Sequence, residues 1–310
     1  MLERQVIEVV GALSKAFLTL GCRSVRVHGT ENLLRVLNDT DRINAGRGVL
    51  TYCNHISVLD EPLMWGAMPM YTYSSAHTTR WSLGASDIIF TNSFFSWFFR
   101  KGQTLEVFRG QGIFQSALDN AVLELERGHW VHIFPEGLVN LSSSTALKPF
   151  KWGVSRLFLE PLEAPVVVPI WLTGFDQIMP NNRAHPRWMP RRNADVSVTF
   201  GEPLREEITA TYHNAFHELC RDASVAPYDA QWPPRLASGI VPNEVFPTRG
   251  PPKLAPQDSE AYATLRSYFA AVLRRELHSL GCQVRARHGL PPGEGILSHG
   301  HERGEKNSHV

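Results

Sequence analysis

Apolar positions along the chain fall into two periods. Short runs rich in Val, Ile and aromatic residues at 24–28, 49–53, 104–108, 129–134, 166–171 and 195–200 have the composition of strands. Between them, apolar residues recur at spacings of three and four over 30–38, 58–67, 113–126, 151–160 and 206–221, which predicts helices. Short strands alternating with longer helices predict an α/β domain, built on a mixed, largely parallel sheet flanked by helices. The order of the strands does not follow from the pattern.

The main domain is expected over 24–223, and the flanks differ from it. Residues 1–23 read as an amphipathic segment, with Val6, Val9, Val10, Leu13, Phe17 and Leu20 opposite Glu8 and Lys15. Such a stripe suits a helix packed on the domain as well as one lying on lipid. The apolar span over 6–20 is shorter than the roughly 20 residues needed to cross a bilayer. It is also broken by charge and has no clean small-residue cleavage site, so it does not read as a secretory signal. Prolines cluster over 224–257 and periodicity lapses, as in a linker or a surface excursion. Within 258–288, Tyr262, Leu265, Tyr268, Phe269, Val272 and Leu273 restore helical spacing and predict a helix that docks back on the domain. Residues 289–310, rich in Gly, His and charge, read as a disordered tail.

Composition narrows the function. With 310 residues and 43% hydrophobic content, the chain can bury a substantial core. Its 31 basic and 30 acidic residues leave a net charge of +1, so no global field gathers nucleic acid, which is not expected as a partner. Cys22, Cys53, Cys220 and Cys282 are too scattered for a disulfide framework and form no C-x-x-C pair, so they read as free thiols.

The stretch most informative about chemistry is Asn54-His55-Ile56-Ser57-Val58-Leu59-Asp60-Glu61-Pro62, directly after the 49–53 strand. Polar residues bunched where a strand leaves a sheet are where α/β proteins build sites. Five positions separate His55 from Asp60, which places the carboxylate in the first turn of the next helix, able to turn back to the imidazole. A carboxylate on one ring nitrogen fixes the tautomer, frees the other nitrogen to accept a proton and stabilises the imidazolium. The plainer alternative is a helix cap made by Ser57 and Asp60 beside an ordinary loop histidine.

Three further signals follow. Phe134-Pro135-Glu136-Gly137 breaks a strand on a tight turn, where Gly137 lets a ligand approach and Glu136 can bind a glycerol hydroxyl or orient the site. Arg109, after Val107 and Phe108, offers a planar guanidinium suited to a phosphodiester, and Lys148 and Lys151 can add positive charge. Val166-Val167-Val168-Pro169-Ile170-Trp171 reads as a buried strand ended by Pro169 that shapes an acyl pocket.

Together, the Asn-His-x4-Asp, Arg-Gly, Phe-Pro-Glu-Gly and Val-Pro-Ile blocks, in this order, resemble the four motifs of the glycerophospholipid acyltransferase family. Three longer stretches, Ala85 to Thr91, His129 to Gly137 with Asn140, and Phe150 to Gly153, narrow the resemblance to its tafazzin group. The resemblance implies a transacylase of the mitochondrial membrane, peripheral or monotopic and facing the intermembrane space. It implies exchange of acyl chains between phospholipids and lysophospholipids (cardiolipin, monolysocardiolipin, phosphatidylcholine) without coenzyme A, and no cofactor. His55 and Asp60 become the catalytic pair, with Arg109, Glu136, Gly137, Asn54 and Lys151 at the substrate; whether the chain forms a homo-oligomer stays open. No metal is expected, because the His and carboxylate residues lack metal-ligand spacing. Backbone amides near 54–57 or at Gly137 are the candidate oxyanion donors.

Substrates that never leave a bilayer need a site at its surface. Phe94, Phe95, Trp97, Phe98 and Phe99, closed by Arg100 and Lys101, form a segment suited to the headgroup layer. The competing reading is a buried aromatic core helix. Two rival functions remain at this stage: an acyl-coenzyme A-dependent lysophospholipid or 1-acylglycerol-3-phosphate acyltransferase, and a catalytically silent lipid-binding protein, which would be expected to lack His55 or Asp60.

Overall fold

The computed structural model describes residues 2–140, 146–180, 186, 188–222 and 260–290. The Pro-rich stretch expected over 224–257 and the tail beyond Leu290 lie outside the described residues. Seven strands, β1 (Ser24–His28), β2 (Val49–Cys53), β3 (Arg80–Ala85), β4 (Thr104–Val107), β5 (Trp130–Ile133), β6 (Val166–Thr173) and β7 (Asp195–Phe200), form one sheet in the order β1-β7-β6-β2-β5-β3-β4. Strands β6, β2, β5, β3 and β4 are mutually parallel. β7 runs antiparallel to β6, and β1 follows β7. The sheet is therefore mixed and largely parallel, as the pattern predicts, and five strands deliver their C-terminal ends to one edge.

Among the described residues ten helices flank it: α1 (Leu2–Gly21), α2 (Thr30–Leu37), α3 (Thr40–Asn44), α4 (Asp60–Trp65), α5 (Ser86–Ile89), α6 (Ser93–Lys101), α7 (Ser116–Glu126), α8 (Gly153–Leu159), α9 (Glu206–Asp222) and α10 (Glu260–Arg287). Side chains alternate across a strand, so β2 feeds two cores. Val49 and Cys53 pack with Leu33, Val36, Met64 and Trp65 on one face. Leu50 and Tyr52 pack with Leu125, Phe158 and Phe269 on the other. All five residues of β2 are buried, which makes its C-terminal end a rigid platform.

Several expected boundaries move for identifiable reasons. β6 continues past Pro169 to Thr173, because β7 pairs only with Ile170–Thr173. The missing N–H of Pro169 points, like its carbonyl, toward the end of β7, where Gly201 donates to Pro169 O at 2.8 Å. α10 runs through Gly281, where a Cβ would meet the Trp171 ring at 2.6 Å, so glycine there lets the helix lie close against β6. β3 was not marked by the apolar pattern; it lies one strand from the sheet edge, and only Ser82 in it is buried.

α1 has two apolar faces. Ile7, Gly11, Ser14, Leu18 and Gly21 are buried, and α1 packs on α4, the 3₁₀ turn Met70–Ser74 and α6. Leu2, Val9, Leu13 and Leu20 form an exposed stripe on the other side. No residue of α6 is buried, which excludes the aromatic core helix. Phe94 is 64% exposed and Phe95 and Trp97 are 44% exposed, while Phe98 and Phe99 are half-buried. Among the described residues no helix is long and apolar enough to cross a membrane.

Candidate catalytic site

The residues from Asn54 to Leu59 form the turn between β2 and α4. Asn54 is buried, with Nδ2 donating to Leu172 O at 3.0 Å and Oδ1 accepting from Leu172 N at 2.8 Å. Its amide, expected at the substrate, instead stitches the turn to β6, and both of its polar ends are engaged.

Asp60 opens α4 and is fully buried. Its Oδ2 accepts from His55 Nδ1 at 3.0 Å, from Ile56 N at 2.6 Å and from Ser57 N at 2.8 Å. The two readings left open by the sequence coincide: one carboxylate folds the turn and orients the ring. Burial pushes the Asp60 carboxyl above its ordinary range, and the His55 hydrogen bond opposes that shift. With Nδ1–H directed at Asp60, the lone pair lies on Nε2, which no hydrogen bond occupies among the described residues. The imidazole is stacked on Phe134, with centroids 4.0 Å apart and planes at 26°. Its side chain keeps 18% of its surface open.

Glu136 is buried and fastens the backbone around His55. Oε1 accepts from His55 N and Oε2 from Lys148 N, each at 3.0 Å. Asn140 N donates to His55 O at 2.6 Å, so the Phe-Pro-Glu-Gly turn grips both sides of the histidine's backbone. Of the two roles the sequence allows Glu136, its contacts favour orienting the site. Burial raises its carboxyl, offset in part by the two amides.

Four of the amides nominated as oxyanion donors are engaged elsewhere. His55 N binds Glu136, Ile56 N and Ser57 N bind Asp60, and Gly137 N binds Phe134 O. Gly137 itself has φ +70°, a conformation that favours glycine, and the Lys151 stem lies across it. Lys151 is exposed, with its backbone tied to Pro135 O.

Arg109 follows β4 on the same sheet edge. Three strand spacings of about 4.8 Å separate the ends of β4 and β2, roughly 14 Å in all, so Arg109 belongs to the rim of the site. Its guanidinium meets Asp87 at 3.3 Å, and both side chains are exposed.

Sequence reasoning missed the floor beneath His55. Trp130 Nε1 donates to Thr51 Oγ1 at 2.8 Å, and Thr51 Oγ1 lies 2.8 Å from Nδ1 of buried His132. The Thr51 hydroxyl thus accepts from the indole and pairs with the imidazole of His132. Burial drives the His132 pKa well below its ordinary value, which favours the neutral ring. It stands edge-on to Phe134 at 4.8 Å and supports the ring on which His55 rests. The period-two series Trp130, His132, Phe134 was the available signal. Among the described residues no group of His, Cys, Asp and Glu is arranged to hold a metal, and the four cysteines are free.

An acyltransferase family model matches residues 24–173. Taffazin of Dictyostelium discoideum is 38% identical over 207 residues, 66% of this chain and 70% of its own length. The chain belongs to the tafazzin-like acyltransferases. N-acylphosphatidylethanolamine synthase of Arabidopsis thaliana is 32% identical over 241 residues, 77% of this chain and 83% of its own. Tafazzin of Drosophila melanogaster is 34% identical over 199 residues, 64% of this chain but only 50% of its own length, so this acyltransferase spans about half of that relative. His55, Asp60, Arg109, Glu136 and β6 all lie inside the stretch matched by the acyltransferase model, whereas α10 lies outside it.

Proposed function

We propose that this acyltransferase exchanges acyl chains between phospholipids and lysophospholipids without coenzyme A, with cardiolipin among its substrates. The observation that carries the reading is the His55–Asp60 clasp, with Nε2 open, in a tafazzin-like chain. Nε2 of His55 takes the proton of a lysolipid hydroxyl, and the alkoxide attacks the ester carbonyl of a donor lipid. Collapse of the tetrahedral intermediate breaks the donor ester, and imidazolium returns its proton to the departing lysolipid oxygen. Asp60 holds the ring and balances the imidazolium charge. Arg109 and Lys151 are the exposed cations proposed to meet lipid phosphates.

The exposed apolar stripe of α1 and the aromatics of α6, joined by packing and by the Lys101–Glu3 ion pair at 2.9 Å, support attachment to one membrane leaflet. The tafazzin relatives support a mitochondrial membrane, and we place the site on its intermembrane side.

The Arabidopsis relative favours a second reading, in which the acceptor is the amine of phosphatidylethanolamine. One assay separates them: pure protein, labelled phosphatidylcholine, lysocardiolipin and phosphatidylethanolamine, with and without acyl-coenzyme A. Label in cardiolipin without the thioester supports exchange. Label in an N-acyl lipid supports the second reading, and strict dependence on acyl-coenzyme A refutes the coenzyme A-independent exchange.

A further inference from the structure

Helix α10 meets the residues next to the site at Leu273 and Arg274. Tyr52, three residues before His55, donates its hydroxyl to Leu273 O at 3.2 Å. Arg274, almost fully buried, directs Nε at Leu147 O at 3.1 Å, and its Nη2 binds the same oxygen. That carbonyl shares a peptide unit with Lys148 N–H, which binds Glu136, whose other oxygen holds His55 N.

We propose that Arg274 is a positioning residue for His55, acting through the Leu147–Lys148 peptide and Glu136. The order of charges supports this. A cation at the oxygen end of a peptide and an anion at its N–H end both lie along its dipole, so each hydrogen bond polarises and strengthens the next. The circuit runs guanidinium, carbonyl, amide, carboxylate, His55 amide. It also sets a cation near buried Glu136, and the attraction between Glu136 and Arg274 opposes the loss of basicity that burial imposes on the guanidinium. α10 is thereby part of the catalytic scaffold, although it lies outside the stretch matched by the acyltransferase model.

The inference rests on His55 being the base, and two readouts on the full chain keep the ideas apart. Amide hydrogen exchange needs no turnover: Arg274→Met should speed exchange at His55 and Lys148 about 10-fold, as for a weakened hydrogen bond to a charged group, and leave Leu125 in α7 unchanged. In phosphatidylcholine–lysolipid vesicles, the same variant should lower kcat about 10-fold with KM for the lysolipid unchanged, and Arg274→Lys should recover most of it. On a Glu136→Gln background, Arg274→Met should change kcat less than about two-fold. If Arg274→Met does not fold, Arg274→Gln removes the charge alone and goes through the same cycle, with smaller effects in the same direction. Unchanged exchange at His55 and Lys148, or losses at Arg274 and Glu136 that multiply independently, would overturn the inference. Faster exchange in a chain with no acyl transfer in any variant would uphold the circuit and refute the assigned reaction.

Discussion

Asp60 faces His55 with one oxygen only: Oδ2 gathers the imidazole and two backbone amides, while Oδ1 is buried without a hydrogen-bond partner among the described residues. Asparagine can place its carbonyl oxygen where Oδ2 lies and keep all three contacts, so Asp60→Asn should preserve the turn. It cannot balance an imidazolium charge. Turnover is expected to fall about 100-fold or more with the thermal midpoint nearly unchanged. Activity equal to the parent would remove Asp60 from the mechanism.

Glu136 links its burial to pH. Its folded-state pKa is raised above the ordinary 4.5, so the folded chain binds that proton more tightly than the unfolded chain. The contribution is present at low pH and is lost as pH rises through the folded value. Glu136→Gln has no such proton, so its stability relative to the parent should rise as pH is taken from about 4 to neutrality. Denaturant midpoints measured in pairs would show it, and a constant difference would mean that the carboxyl is not perturbed.

Arg109 is held by Asp87. Arg109→Lys should weaken apparent affinity for the lysolipid, because one ammonium cannot reproduce a two-pronged phosphate contact. Asp87→Asn releases the guanidinium and should act in the opposite direction. Unchanged acceptor dependence in both variants would confine the pair to the surface.

The exposed rings of α6 should bind lipid. Replacing Phe94, Phe95 and Trp97 by Ser should release the protein from liposomes in flotation, since each ring transferred to the acyl boundary contributes on the order of 1.5 kcal/mol or more. These side chains are exposed, so the melting transition should hold. Early melting would assign them to internal packing.

Much of this was legible because β2 and β7 are runs buried in the sheet, where pattern and structure agree residue for residue, and because β1, an edge strand with no buried residue, still carries Val25 and Val27 in strand alternation. The His55–Asp60 spacing was also readable, because both groups sit on one short turn. What escaped depends on distant partners. Asn54 looked free until Leu172, 118 positions away, took both ends of its amide. His132 read as part of an ordinary strand until Thr51 and Phe134 made it the floor of the site.

The central claim is that Nε2 of His55 moves the proton in ester-to-ester exchange. The most direct measurement follows labelled acyl chains from phosphatidylcholine to lysocardiolipin, without coenzyme A, for the parent and for His55→Ala. The account expects reversible transfer in the parent and a loss of about 100-fold or more in the variant, with the fold intact. A folded His55→Ala protein that keeps half of the parent's rate would contradict it.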